Sequence, residues 1–221
     1  MIFIRFVFNG LLLVIIWIML CFMFKKKNMV CYKERLTVRS ILSGFFILAL
    51  GTSLFLIVSI AAYILGSTSI GATFEIAGTI ITSVTITLFL FSMLFAYKFH
   101  FGKGFDFSLV FLLLLGLLKI FITIFMYQEI KIIGNIVLIL FGLGIILLML
   151  RESYEKGDHI FAMIGILLFV YLLCSIPMVF SIQNENFITL LLLLKSLAIL
   201  AIALLSIKEL FKKPVLNIFK F

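Results

Sequence analysis

The sequence predicts an all-α protein, a polytopic membrane bundle of seven transmembrane helices, and three observations carry that prediction. The chain is 65% hydrophobic and only 12% charged, whereas soluble domains carry about a quarter charged residues. Seven apolar runs are each about long enough to cross a bilayer, which takes roughly 20 residues as a helix. Fourteen of the eighteen Lys and Arg residues fall in alternate gaps between those runs. The runs lack the strict alternation a barrel needs, and backbone polar groups in lipid must be satisfied within the protein, so a helical bundle follows.

The first span is placed at 3–24. Its apolar stretch is too long for a cleaved signal peptide, no small-x-small site follows, and Lys25, Lys26 and Lys27 stop it as they would a signal anchor. The second, 41–66, ends at Gly66-Ser67-Thr68-Ser69. The third, 73–97, is rich in hydroxyls: Thr73, Thr79, Thr82, Ser83, Thr85 and Thr87. Asp106 opens the fourth, 106–127, where a carboxylate favours a helix N-terminus. The fifth, 131–150, carries Gly142 and Gly144, and the seventh, 187–207, carries Ala198, Ala201, Ala203 and Ser206, small residues suited to close helix contact. The sixth, 160–182, contains Pro177, which frees a carbonyl and is expected to act as a hinge. Residues 1–210 thus form one transmembrane domain, and 211–221 a short basic and aromatic tail.

Charge sets the expected orientation. Lys25, Lys26, Lys27, Lys33, Arg35 and Arg39 follow span one; Lys98 and Lys103 follow span three; Arg151 and Lys156 follow span five; Lys208, Lys212, Lys213 and Lys220 follow span seven. The intervening gaps hold almost no cations. The positive-inside rule therefore places the N-terminus outside and the C-terminus in the cytoplasm of a cell that bears the protein in its plasma membrane. The expected partners are the lipid bilayer, anionic headgroups at the basic loops and tail, and a protein partner on the cytoplasmic side. Cations that flank spans, with no continuous basic stripe, argue against nucleic acid.

Four cations stand outside this pattern: Arg5, Lys119, Lys131 and Lys195. Charge within a bilayer is costly and marks function by default. Counting from the span ends places Lys119 and Lys195 at nearly equal depth, about 12 Å from the outer boundary. Glu75 is the available counter-charge, and Glu75, Thr79, Thr82 and Ile86 recur at helical spacing. Asn9 and Asn135 lie in the same half. The expected site is an outward polar pocket of Glu75, Thr79, Thr82, Lys119, Asn135 and Lys195, with two ammonium groups to one carboxylate favouring a small anionic solute. The competing expectation is a packing role, with Glu75 pairing one lysine and the threonines bonding their own backbone.

No metal or cofactor is expected. Cys21, Cys31 and Cys174 have no C-x-x-C spacing, and His100 and His159 lie in gaps, where they could not ligate a membrane haem. The mixed-sign run Arg151, Glu152, Glu155, Lys156 and Asp158 reads as a solvated loop. No paired membrane aspartates, His-x-x-x-His or Ser/His pairing supports intramembrane catalysis, so the protein is not expected to be an enzyme. A lysine in the last span invites comparison with microbial rhodopsins. Leu191 stands four residues before Lys195, however, Glu75 lies near the membrane surface and Trp17 is the sole tryptophan; no family is assigned. Two functions remain: a small permease or permease subunit, or a non-transporting membrane subunit, sensor or scaffold that assembles with a partner.

Overall fold

A computed structural model describes residues 35–66, 69–126, 131–179 and 185–211, and scattered positions between 10 and 24. Arg5, Asn9, most of the loop after span one, and the tail from 212 onward lie outside the described residues, as do the side chains of Glu75, Lys131 and Pro177. Every described element is a helix or a turn. Helical positions between 10 and 24 form α1. The others are α2 (Arg35–Leu65), α3 (Ser69–Phe101), α4 (Phe107–Phe125), α5 (Lys131–Lys156), α6 (His159–Val179) and α7 (Glu185–Phe211). Five of these, α2, α3, α4, α5 and α7, are long and apolar enough to cross a membrane, and α6 has a shorter apolar stretch, His159–Ser175. The chain is an integral membrane protein by this architecture.

Successive helices run antiparallel, so Arg39, Lys98, Lys103, Arg151, Lys156 and Lys208 gather at one end, here the basic end. There the helices outrun their apolar segments. α3 continues through Lys98 and His100, and α5 through Arg151–Lys156, because glycines rather than the first charges stop them. Gly102 (φ 64°) and Gly157 (φ 66°) take the left-handed conformation. The next amide then bonds back to the helix, Lys103 N to Lys98 O at 3.0 Å and Asp158 N to Ser153 O at 2.8 Å. This is the Schellman arrangement that satisfies terminal carbonyls. Asp106 caps α4 as expected, accepting from the Leu109 amide at 2.9 Å.

Close approaches order the bundle. α2 and α3 form a tight hairpin in which Gly44 faces Ser92 and Gly51 faces Thr85, with no room for a Cβ. Gly116 of α4 receives Phe91 and Phe141, Gly142 of α5 receives Leu172, and Gly144 receives Leu112. α3 touches α4 and α5, and the remaining helices pack in chain order, with α7 against α6. α1 joins through Ile16 and Leu20, buried in the same core, and through Trp17 set edge-on to Phe46 at 6.1 Å. The core centres on edge-to-face contacts from Phe45 to Phe89 at 5.9 Å and from Phe89 to Tyr171 at 5.7 Å, geometry that adds to simple area burial.

Candidate functional site

The end opposite the basic one contains the first anomalous charge. α4 presents Leu112, Gly116, Lys119 and Thr123 at spacings of three and four, so one stripe faces the bundle interior. Lys119 lies on that stripe and is only 2% exposed. Its ammonium reaches α5: a Cβ built on Gly134 would lie 3.3 Å from Lys119 Nζ and 2.9 Å from Ile122 Cγ2. Glycine at 134 therefore makes the space the ammonium occupies. Lys119 is six residues from the end of α4, about 9 Å, whereas Gly134 is three residues from the start of α5, about 4.5 Å. The side chain climbs toward the membrane boundary, as a snorkelling lysine does, but within protein rather than lipid.

The electrostatics of this position are unbalanced. Gly134 closes the first turn of α5, where free N–H groups and the helix dipole make a positive end. Lys119 brings a second positive charge to it. All four ion pairs among the described residues lie at the basic end, and no described residue accepts a hydrogen bond from this ammonium. Asn135 is buried beside Gly134. On the α3 side the Lys119 carbonyl accepts from Thr123 Oγ1 at 2.8 Å, and that hydroxyl meets Ser83 Oγ at 3.5 Å. An ammonium, a helix N-terminus and neighbouring polar groups are the ingredients of an anion site.

The other expected members are placed differently. Thr79 is exposed on α3. Thr82 is half-buried and donates to Gly78 O at 2.9 Å, while Thr85 and Thr87 likewise bond carbonyls four residues back. Those hydroxyls are satisfied by their own helix. The backbone of Glu75 lies in the same half of α3. Pro177 falls in the last turn of α6, two residues before Val179.

Lys195 belongs to a separate environment. It is half-buried on the α7 stripe that includes Leu191, Ala198 and Ile202, and its Nζ lies 5.0 Å from the centre of the Tyr171 ring on α6. The ring is 1% exposed. Such a cation–π contact is worth about 0.5–2 kcal/mol, less than the several kcal/mol that removing an ion from water costs. Ten residues separate Lys195 from the start of α7, about 15 Å. The neighbours of the two lysines lie on different helices, α5 for Lys119 and α6 for Lys195.

The basic end holds an arrangement that the sequence reading missed. His100 of α3 bonds Asp158 at 2.6 Å, and its ring stacks on Phe161 at 3.9 Å between centroids. Asp158 also caps α6, accepting from the amides of Ile160 at 3.2 Å and Phe161 at 3.1 Å. Burial pushes the Asp158 carboxyl up, but His100 and those two amides together outweigh it, and the group is held below its ordinary value. Glu152, 6% exposed, pairs with Lys103 at 2.6 Å, and Lys156 donates to Phe101 O at 3.0 Å. Arg151 and Glu155 of the segment read as a solvated loop are exposed and pair with each other. The segment is helical through Lys156, however, and its Glu152, Lys156 and Asp158 clamp α5 and α6 onto the end of α3. The signal that could have found this clamp is the Gly157-Asp158 junction, a helix stop followed by a cap.

No protein-family model matches the chain, and no curated protein or solved structure matches it either.

Proposed function

We propose that this integral membrane protein is a small permease or permease subunit that binds a small anionic solute at the end of the bundle opposite the basic clamp. The observation that carries the reading is the buried Lys119 ammonium set against Gly134 in the first turn of α5, with no acid paired to it among the described residues. Two positive elements that face each other are stable together when an anion lies between them. Asn135, Thr123 and Ser83 supply polar neighbours; Thr79, Thr82 and Glu75 lie along the approach on α3, and Pro177 is a hinge at the same end. The reading is of binding and passage rather than catalysis.

The orientation belongs to the same proposal. Seven spans, with the basic end in the cytoplasm, put the anion site at the outer face of the plasma membrane. Exposed Phe105, Phe107 and Tyr154 beside Lys98, Lys103 and Arg151 support a seat among anionic headgroups. That seat leaves the clamp facing any cytoplasmic protein partner.

Thermal unfolding of the purified protein against a panel of chloride, phosphate and short carboxylates tests the site. A ligand at a hundred times its dissociation constant stabilises by about 2.7 kcal/mol, roughly 5–10 °C for a chain of this size. Wild type should shift with at least one anion, and Lys119→Ala should not. Equal shifts in both proteins, or none in wild type, would sink the reading.

A further inference from the structure

The surroundings of Lys119 restrict the kind of anion it can hold. Lys119 brings one positive charge to the first turn of α5, and Lys195 lies elsewhere, against Tyr171 of α6. Lys131 opens α5 three residues before Gly134, one residue ahead of the apolar span that begins at Ile132. Hydrogen-bond donors are few. Thr123 Oγ1 spends its proton on the Lys119 carbonyl at 2.8 Å, which leaves Ser83 Oγ as the donor in their 3.5 Å contact. Both hydroxyl protons are thereby committed within the protein. The donors left beside the ammonium are the first-turn amides of α5 and the buried Asn135. The wall is otherwise hydrocarbon: Ile122 is buried, and a Cβ on Gly134 would meet its Cγ2 at 2.9 Å as well as Lys119 Nζ at 3.3 Å.

We propose, resting on the anion reading above, that the Lys119 site selects a singly charged, weakly hydrated anion of the halide or nitrate class over phosphate and carboxylates. Three features favour that class. The first is charge balance. One ammonium is neutralised by a monoanion, whereas a dianion would leave a net negative charge in a buried place. The second is dehydration. Taking an ion out of water costs more as its charge rises and less as its radius grows, so bromide and nitrate enter more readily than hydrogen phosphate. The third is compensation, and it sets acetate apart as well. Carboxylate and phosphate oxygens each seek several hydrogen bonds. A site whose two hydroxyls are already committed leaves most of those unmet, and buried acceptors without donors are costly. A halide makes no such directional demand, and the α5 amides with Asn135 suffice for it.

Thermal unfolding of the full-length protein in neutral detergent is titrated with the sodium salts of bromide, nitrate, chloride, acetate and phosphate, with sodium gluconate holding the ionic strength constant. Bromide and nitrate should give saturable stabilising shifts, with dissociation constants at least tenfold below those of acetate and phosphate and with chloride between. Lys119→Met should erase these shifts. The general salt series runs the other way, because phosphate and sulfate strengthen apolar burial in any protein. Bromide ahead of phosphate in the unaltered protein therefore supports the selectivity even where Lys119→Met fails to fold. Saturable binding of phosphate or acetate as tight as that of bromide overturns it. If that binding still depends on Lys119, the anion site stands and only its selectivity falls, as for a dianion that recruits Lys131. No saturable shift with any of the salts removes the anion site itself and the selectivity with it.

Discussion

Asp158 serves two structures at once, and two substitutions separate them. Its carboxylate caps α6 through the Ile160 and Phe161 amides, and it bonds His100 of α3 at 2.6 Å. Asparagine caps helices about as well as aspartate, so Asp158→Asn should keep the cap and lose the charged partner of His100. Both side chains of that pair are about one-fifth exposed. The loss is therefore set at about 1 kcal/mol, below the 1.5–3 kcal/mol of buried hydrogen bonds to charged groups. Asp158→Ala should cost about 1 kcal/mol more for the missing cap. For a chain of this length these become roughly 2–4 °C for Asn and 4–8 °C for Ala in thermal unfolding. A double-mutant cycle with His100→Ala should recover a coupling near the first figure. The pH dependence has a definite sign. The carboxyl is held below its ordinary value in the folded protein, so its contribution is fully present above the ordinary carboxylate range and fades as pH falls through the lowered value. The advantage of wild type over Asp158→Asn should shrink only in that acid range. Identical melting of wild type and Asp158→Asn at neutral pH would refute the clamp.

Two further outcomes follow from the packing and the charges. Gly134→Ala places a methyl 2.9 Å from Ile122 Cγ2 and 3.3 Å from Lys119 Nζ. Overpacking of about 1–3 kcal/mol is partly offset by about 1 kcal/mol of helix propensity, so melting falls by a few degrees while the anion-dependent shift largely disappears; an intact shift would remove the first turn of α5 from the site. Orientation is checked with single cysteines at Ile70 and Tyr154, exposed residues at opposite ends, in a background with Cys21, Cys31 and Cys174 replaced by Ala. A membrane-impermeant maleimide should label Ile70→Cys in intact cells and Tyr154→Cys only after permeabilisation. The reverse pattern would invert the topology.

Hydropathy found the helices, because an apolar run of about 20 residues has few other fates, but it mistook where they end. The fifth run was read as stopping at 150, yet α5 continues to Lys156. A charge marks where a helix leaves hydrocarbon, whereas Gly157 in a left-handed conformation marks where it stops. Lys119 and Lys195 were visible in the sequence as misplaced charges, but their directions were not. A helix that is apolar all round has no phase for sequence to read. Direction came from partners remote in the chain: Gly134, which leaves room for one ammonium, and Tyr171, which lies beside the other. The same remoteness hid the pairing of His100 with Asp158, 58 residues apart.

These placements tie the charges to a division of labour along the membrane normal. At the basic end, cations meet anions of the same chain, Lys103 with Glu152 and His100 with Asp158, and the cluster closes on itself. Among the described residues, the two lysines deeper in the bundle have no such partner. A charge that is balanced within the chain stabilises the fold and asks nothing of the surroundings. One that is buried without a counter-charge lowers stability until something outside the chain supplies it. Lys119 lies close to a boundary that water reaches, so a dissolved anion can meet it. Lys195 lies on the inward stripe of α7 beside the buried Tyr171 ring. The difference in surroundings between the two ammonium groups, rather than their shared chemistry, is what separates their roles.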